Sequence, residues 1–194
     1  MEQRVKIKNL DSDFLNEFFS SISLRVADID LAVLHEVSNL VLRAHGNGGK
    51  LILVGNGGSA AMASHVSVDF TKSAKIRAIN FNEADLLTCF SNDYGYQNWV
   101  SFALDAYSDQ HDVVILISSS GQSPNVINGA LQAQKLGLKT VTLSGFESDN
   151  PLRKLGDFNL WCDSRRYNIV EMTHHIWLLA IVDYIIYNRE CLDA

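Results

Sequence analysis

The stretch that decides the fold is Lys50-Leu51-Ile52-Leu53-Val54-Gly55-Asn56-Gly57-Gly58-Ser59-Ala60-Ala61. Residues 51–54 are wholly apolar, the pattern of a strand covered on both faces. They run into a turn with three glycines and one asparagine, and a small-residue helical pattern follows over residues 59–70. Strand, glycine turn and helix in that order present free backbone N–H groups and the positive end of a helix to an anion. Glycine lets the backbone approach closely and take φ > 0 without steric penalty. Ser59 can cap the helix and offer its hydroxyl to the same anion. The turn lacks the Gly-Lys-Ser/Thr close of a P-loop, and Ala60 stands where a dinucleotide fingerprint has its third glycine. Glu83 and Asp85 come too late to be the acidic residue that such a fingerprint wants about 20 residues on.

A second turn downstream narrows the reading. Val113-Val114-Ile115-Leu116-Ile117 is the clearest strand in the chain, and it leads straight into Ser118-Ser119-Ser120-Gly121-Gln122-Ser123-Pro124. Pro124 suits the first turn of a helix, expected over residues 124–136 and ended by Gly137. Both turns fall at the carboxyl ends of strands, where open parallel sheets bind ligands. Five hydroxyls (Ser59, Ser118, Ser119, Ser120, Ser123) and two helix N-termini can converge on one dianion with no arginine. Helix capping alone would need one serine. The pair of turns therefore points to a phosphomonoester.

The remaining elements follow from periodicity and breakers. Residues 10–46 read as two helices, with Phe14, Phe18, Ile22 and Val26 at helical spacing, Asp11 or Ser12 as cap and a break near Asp28 or Asp30. Strands are expected over 77–81, 140–143 and 158–162, and helices over 84–90, 99–107, 152–155 and 171–189. Asn92-Asp93-Tyr94-Gly95-Tyr96 reads as an aromatic turn. The alternation implies an α/β three-layer sandwich with a mostly parallel sheet. One domain spans residues 1–194, with N-terminal helices over 1–48 that pack partly on another subunit and an α/β core over 50–194.

A net charge of −6 without a basic run excludes a nucleic-acid surface. Cys89, Cys162 and Cys191 are odd in number and lack metal spacing, as expected of reduced thiols in a cytoplasmic protein. The polar N-terminus is not a signal peptide, and the longest apolar run, 176–186, is broken by Asp183, so no membrane partner is expected.

Gly-Asn-Gly-Gly-Ser and Ser-x-Ser-Gly-x-Ser, each after an apolar strand, resemble the SIS (sugar isomerase) phosphosugar-binding family, most closely its phosphoheptose isomerase-like members. The resemblance implies a homotetramer and a five-stranded parallel sheet flanked by helices. It also implies a phosphate pocket from Ser59, Ser118, Ser120 and Ser123, with Asn56, Gly57 and Asp93 lining the sugar. The implied reaction converts sedoheptulose 7-phosphate to a heptose 7-phosphate through an enediol(ate), supplying heptose for lipopolysaccharide or capsule. The family's histidine and glutamate, one helical turn apart, match His65 and Asp69, which become the catalytic candidates. Asp69 is one methylene shorter, which moves its charge by about 1.5 Å. The family's glutamine and histidine zinc ligands align with Val170 and Leu178, neither able to bind metal. Zinc is thus left unassigned, with His65 its best candidate ligand. His174 lies midway between those two positions and is read as the replacement acid/base, while His175 points about 100° away on the helix. Two readings stay open: a sugar-phosphate isomerase, or a non-catalytic phosphosugar-binding SIS protein acting as regulator or assembly factor. The position of His174 relative to His65 and Asp69 separates them.

Overall fold

A computed structural model of the chain describes residues 12–193, with side chains described over residues 13–189. Asp11 and the Cys191 side chain lie outside that range. The element order is α1 (Ser12–Ala27), α2 (Leu31–Gly46), β1 (Leu51–Gly55), α3 (Gly58–Lys72), β2 (Ala78–Asn80), α4 (Ala84–Tyr94), α5 (Trp99–Tyr107), β3 (Val113–Ser118), α6 (Pro124–Lys135), β4 (Lys139–Gly145), a single 3-10 turn (Leu152–Lys154), β5 (Phe158–Cys162) and α7 (Tyr167–Asp193).

The five strands form one parallel sheet in the order β2-β1-β3-β4-β5. β1, β3 and all of β4 after its first residue are buried on both faces, so their apolar runs do not alternate. Leu51, Leu53, Val113, Ile115 and Ile117 face one way, with Val41 of α2, Val66 and Phe70 of α3, and Leu178 and Ile181 of α7. Ile52, Val54, Val114 and Leu116 face the other way, with Trp99, Val100 and Leu104 of α5 and Val126 and Ala130 of α6. Two cores on one sheet make the three-layer sandwich expected from the alternation. Residues 167–189 of α7 are long and apolar enough to cross a membrane by composition alone, yet 50% of their most apolar window is buried inside the fold.

The strand order reverses between β1 and β3. The chain leaves β1 for one edge of the sheet and β3 for the other, so α3 and α6 lie on opposite faces and a crevice opens where they diverge. Both conspicuous turns sit there. Several boundaries differ from the sequence reading, the helix expected over 152–155 is only a 3-10 turn, and two of the differences bear on the site. α4 continues through Asn92-Asp93-Tyr94 and stops only at Gly95, whose φ of 83° ends the helix. α7 begins at Tyr167, so Val170 and Glu171 are already helical.

At the amino ends of β1 and β3, Lys50 clamps the pair. Its ammonium lies 2.6 Å from buried Asp112 and 2.7 Å from Asp109, and the Lys50 N–H also donates to Asp112. Removing one partner of a buried pair strands the other charge. Asp112→Ala is therefore expected to cost about 3–5 kcal/mol in urea unfolding, whereas Asp109→Ala, losing an exposed carboxylate, costs far less.

Candidate active site

The crevice holds a cavity of about 110 Å³ lined by Asn56, Ser59, residues 117–120, Ser123, Tyr167 and Glu171. Gly57 has φ of 53° and is the α3 N-cap, so Ser59 is not the cap: it is the second helical residue, buried, with its side chain on the cavity. Gly55 has no room for a side chain, because a Cβ there would lie 2.7 Å from Ser59. On the second turn, Ser123 is the α6 N-cap, and its Oγ lies 3.0 Å from Ser118 Oγ. Ser120 Oγ accepts the Gln122 N–H, and Ser119 Oγ donates to Glu171 Oε1 at a long 3.4 Å. The two turns are tied together by a reciprocal amide pair: Asn56 Nδ2 donates to Asn125 Oδ1 at 3.0 Å, and Asn125 Nδ2 donates to Asn56 Oδ1 at 2.9 Å. Tyr96 Oη donates to the same Asn56 oxygen at 3.1 Å. No lysine or arginine lines the cavity. Arg165 pairs with Glu147, and Arg166 with Glu17. An anion here meets hydroxyls and two helix N-termini.

Asp93 is absent from this lining. It sits in the last turn of α4, where its carboxylate accepts from Asn92 Nδ2 and lies 3.8 Å from Cys89 Sγ. The helix runs on through the segment read as a loop, and Tyr96, beyond Gly95, is the residue that reaches the crevice.

Seven residues into α3, about 10 Å along its axis from Gly58 at 1.5 Å per residue, stands His65. Its Nε2 is 3.2 Å from Asp69 Oδ2, one helical turn on. Its Nδ1 is 2.9 Å from Nε2 of His175 on α7, with the rings edge to face. Neutral imidazoles satisfy this chain when His65 donates to Asp69 and accepts from His175. Burial, and then the adjacent His65, hold the His175 pKa below its usual value, outweighing the attraction of Asp69. His65 remains half exposed, open to a ligand.

A family model for the SIS domain matches residues 16–145. The chain belongs to the SIS domain family. It is 33% identical over 167 residues to a probable phosphoheptose isomerase of Thermoplasma volcanium, covering 82% of this chain and 84% of that one. A phosphoheptose isomerase of Thermodesulfovibrio yellowstonii is 31% identical over 151 residues, 75% of each chain. The solved phosphoheptose isomerase of Neisseria gonorrhoeae superposes with a TM-score of 0.83 at 27% identity, covering 91% of this chain and 98% of that one. Within the SIS family, the chain falls in the phosphoheptose isomerase-like group of sugar-phosphate isomerases.

The SIS helix α7 turns different residues to the site than the sequence reading proposed. Val170, His174 and Leu178 do share a face, but it is the face packed into the core, and each is fully buried. His174 donates through Nε2 to the Ser144 carbonyl at 3.0 Å and does not meet His65. The face toward α3 carries Glu171 and His175. An error of one position along a helix rotates a side chain by about 100°, which is why His175 stands where His174 was placed. Val170 and Leu178 offer zinc no donor. Among the described residues, no three His, Cys, Asp or Glu side chains are grouped to hold a metal.

Burial pushes the His174 pKa down to about 4, only partly offset by its bond to Ser144. The unfolded chain binds the proton near pH 6.5 and the folded chain does not until about pH 4, so stability falls as pH drops across that window. Chemical denaturation between pH 7 and pH 4 is expected to show this loss, about 3 kcal/mol from 1.36 kcal/mol per pKa unit. In His174→Gln that component is expected to disappear.

Proposed function

We propose that this chain is an aldose–ketose isomerase that interconverts sedoheptulose 7-phosphate and an aldoheptose 7-phosphate. The observation that carries the reading is one helix serving both ends of such a substrate. The N-terminus of α3 helps form the phosphate cavity, and His65, about 10 Å along the same helix, stands in a hydrogen-bonded chain with Asp69 and His175. A phosphate and a reacting carbonyl that far apart suit a long, open-chain sugar better than a five-carbon one.

The chemistry follows from those groups. Phosphate binds across Ser59, Ser118, Ser119, Ser120 and Ser123, with Asn56 and Gly57 at the turn beside the sugar. The Asp69 carboxylate of the His65–Asp69 unit takes the proton from C1 of the ketose and passes it to O2, giving the enediol. Loss of the O1 proton and return of a proton to C2 gives the aldose. Asp69 and His65 orient one another through the Nε2–Oδ2 contact. His175 donates to His65 Nδ1 and so fixes the tautomer in which His65 donates to Asp69. No metal takes part in this scheme.

The alternative, a non-catalytic phosphosugar binder, rested on the loss of donors at positions 170 and 178. By the criterion of His174, which lies buried against Ser144 and apart from His65, the binder gains; the enzyme is favoured here because His175, one residue on, contacts His65 in its place.

Self-association to a homotetramer belongs to the same proposal. Phe19, Leu24, Leu31 and Tyr187 are exposed by 59–74%, and Val68, Met172 and Ile176 expose apolar surface on α3 and α7, the helices that carry His65 and His175. Phe19→Asp is expected to lower the assembled mass in sedimentation velocity.

The activity is tested by incubating the protein with five- to seven-carbon ketose phosphates and following aldose formation by NMR. The seven-carbon substrate should be converted. His65→Ala should lower kcat by about 10²–10⁴ with little change in KM. Conversion of none of the panel would leave the binder reading.

A further inference from the structure

Glu171 is a carboxylate facing a pocket otherwise built to bind an anion. It reaches from the first turns of α7 onto the rim of the serine-lined cavity, where it packs against the first residue of α3. Gly58 makes that approach possible: a Cβ there would lie 2.8 Å from the Glu171 carboxyl carbon and closer still to one oxygen. The contact is one-sided in hydrogen bonding. A carboxylate can accept about four hydrogen bonds, yet the one given to Glu171 among the described residues is from Ser119 Oγ at 3.4 Å, beyond the usual O–H···O range. The side chain is partly buried, and no lysine or arginine lines the cavity to neutralise it. A carboxylate so placed repels phosphate and lacks donors.

Both features are resolved by one kind of ligand. We propose that Glu171 is a specificity residue that accepts a hydrogen bond from the hydroxyl on the carbon next to the phosphate-bearing carbon. The proposal rests on the phosphate cavity of the isomerase reading but not on turnover. A sugar phosphate brings that hydroxyl within reach of the rim while its phosphate lies on Ser118, Ser123 and Ser59. The charge-assisted bond offsets the repulsion. Inorganic phosphate, alkyl phosphates and sugars with a second phosphate at that carbon bring the repulsion without the bond. Glu171 thereby selects polyol monophosphates from the anions that the serines alone would admit, and a site that rejects by an unpaired polar group discriminates strongly.

The test uses three probes titrated against the full chain by calorimetry: inorganic phosphate, n-propyl phosphate and glycerol 3-phosphate, which has the required hydroxyl. The wild type is expected to bind glycerol 3-phosphate at least about tenfold more tightly than propyl phosphate, the range of a hydrogen bond to a charged group. Glu171→Gln should bring that ratio close to one. It should also bind inorganic phosphate and propyl phosphate more tightly, by about fivefold for unit charges 4 Å apart in water. A purely structural role for Glu171 would weaken all three probes together, and that result overturns the proposal. So does an unchanged ratio in Glu171→Gln, or a wild type that binds none of the three probes. Gly58→Ala, which keeps the charge but displaces the carboxylate from the rim, should reduce the ratio as well, and an unreduced ratio counts against the assignment. Retained discrimination with no turnover of any ketose phosphate would sink the isomerase reading and support this one.

Discussion

Everything at the site depends on the in-register parallel pairing of β1 with β3, Leu51 with Val113 through Gly55 with Ile117. Because the two strands end level, their turns end level. Because the chain leaves them for opposite edges of the sheet, their helices diverge and cannot fill the space between. The Lys50–Asp112 clamp secures the pair at its amino end, and the Asn56–Asn125 amide pair secures it at its carboxyl end. Between those two fastenings lie residues buried on both faces. The cavity thus sits at the carboxyl end of the two most deeply buried strands.

The cavity is lined by hydroxyls and helix N-termini and by no lysine or arginine. Hydroxyls and helix N-termini are neutral when the site is empty, so an unliganded pocket holds no unpaired positive charge. They also permit a negative residue nearby, which a lysine or arginine would have captured as an ion pair. Glu171 depends on that arrangement. His65 and Asp69 lie on α3, whose N-terminus also helps form the serine-lined cavity, so one helix links the two ends of the site. His65 and His175 meet only because α7 crosses α3 at that level.

Composition and periodicity reached most of the architecture. The uniformly apolar strands, the glycine turn and the serine turn all appear where the residues placed them. Element ends were less legible. α4 runs through Asn92-Asp93 because the helix continues until Gly95 supplies a positive φ, and Asp93 lies off the cavity as a result. Glu171 and Tyr96 carry no local signature. Glu171 reaches the cavity, and Tyr96 reaches the Asn56 amide that lines it, from elements distant in sequence.

What the sequence by itself determined was the chemistry available at two strand ends: backbone N–H groups freed by glycine, and serine hydroxyls in number beyond what capping needs. Those are local properties, set by residue type and by order along the chain. What only the tertiary structure decided was which residues of α7 face α3. Val170, His174 and Leu178 against Glu171 and His175 is a choice between helix faces separated by a single residue, about 100° of rotation. No local pattern distinguishes an apolar face that packs on a sheet from one that borders a site when both carry a histidine. The packing of α7 on β4 settles it, burying His174 against the Ser144 carbonyl and leaving His175 to meet His65.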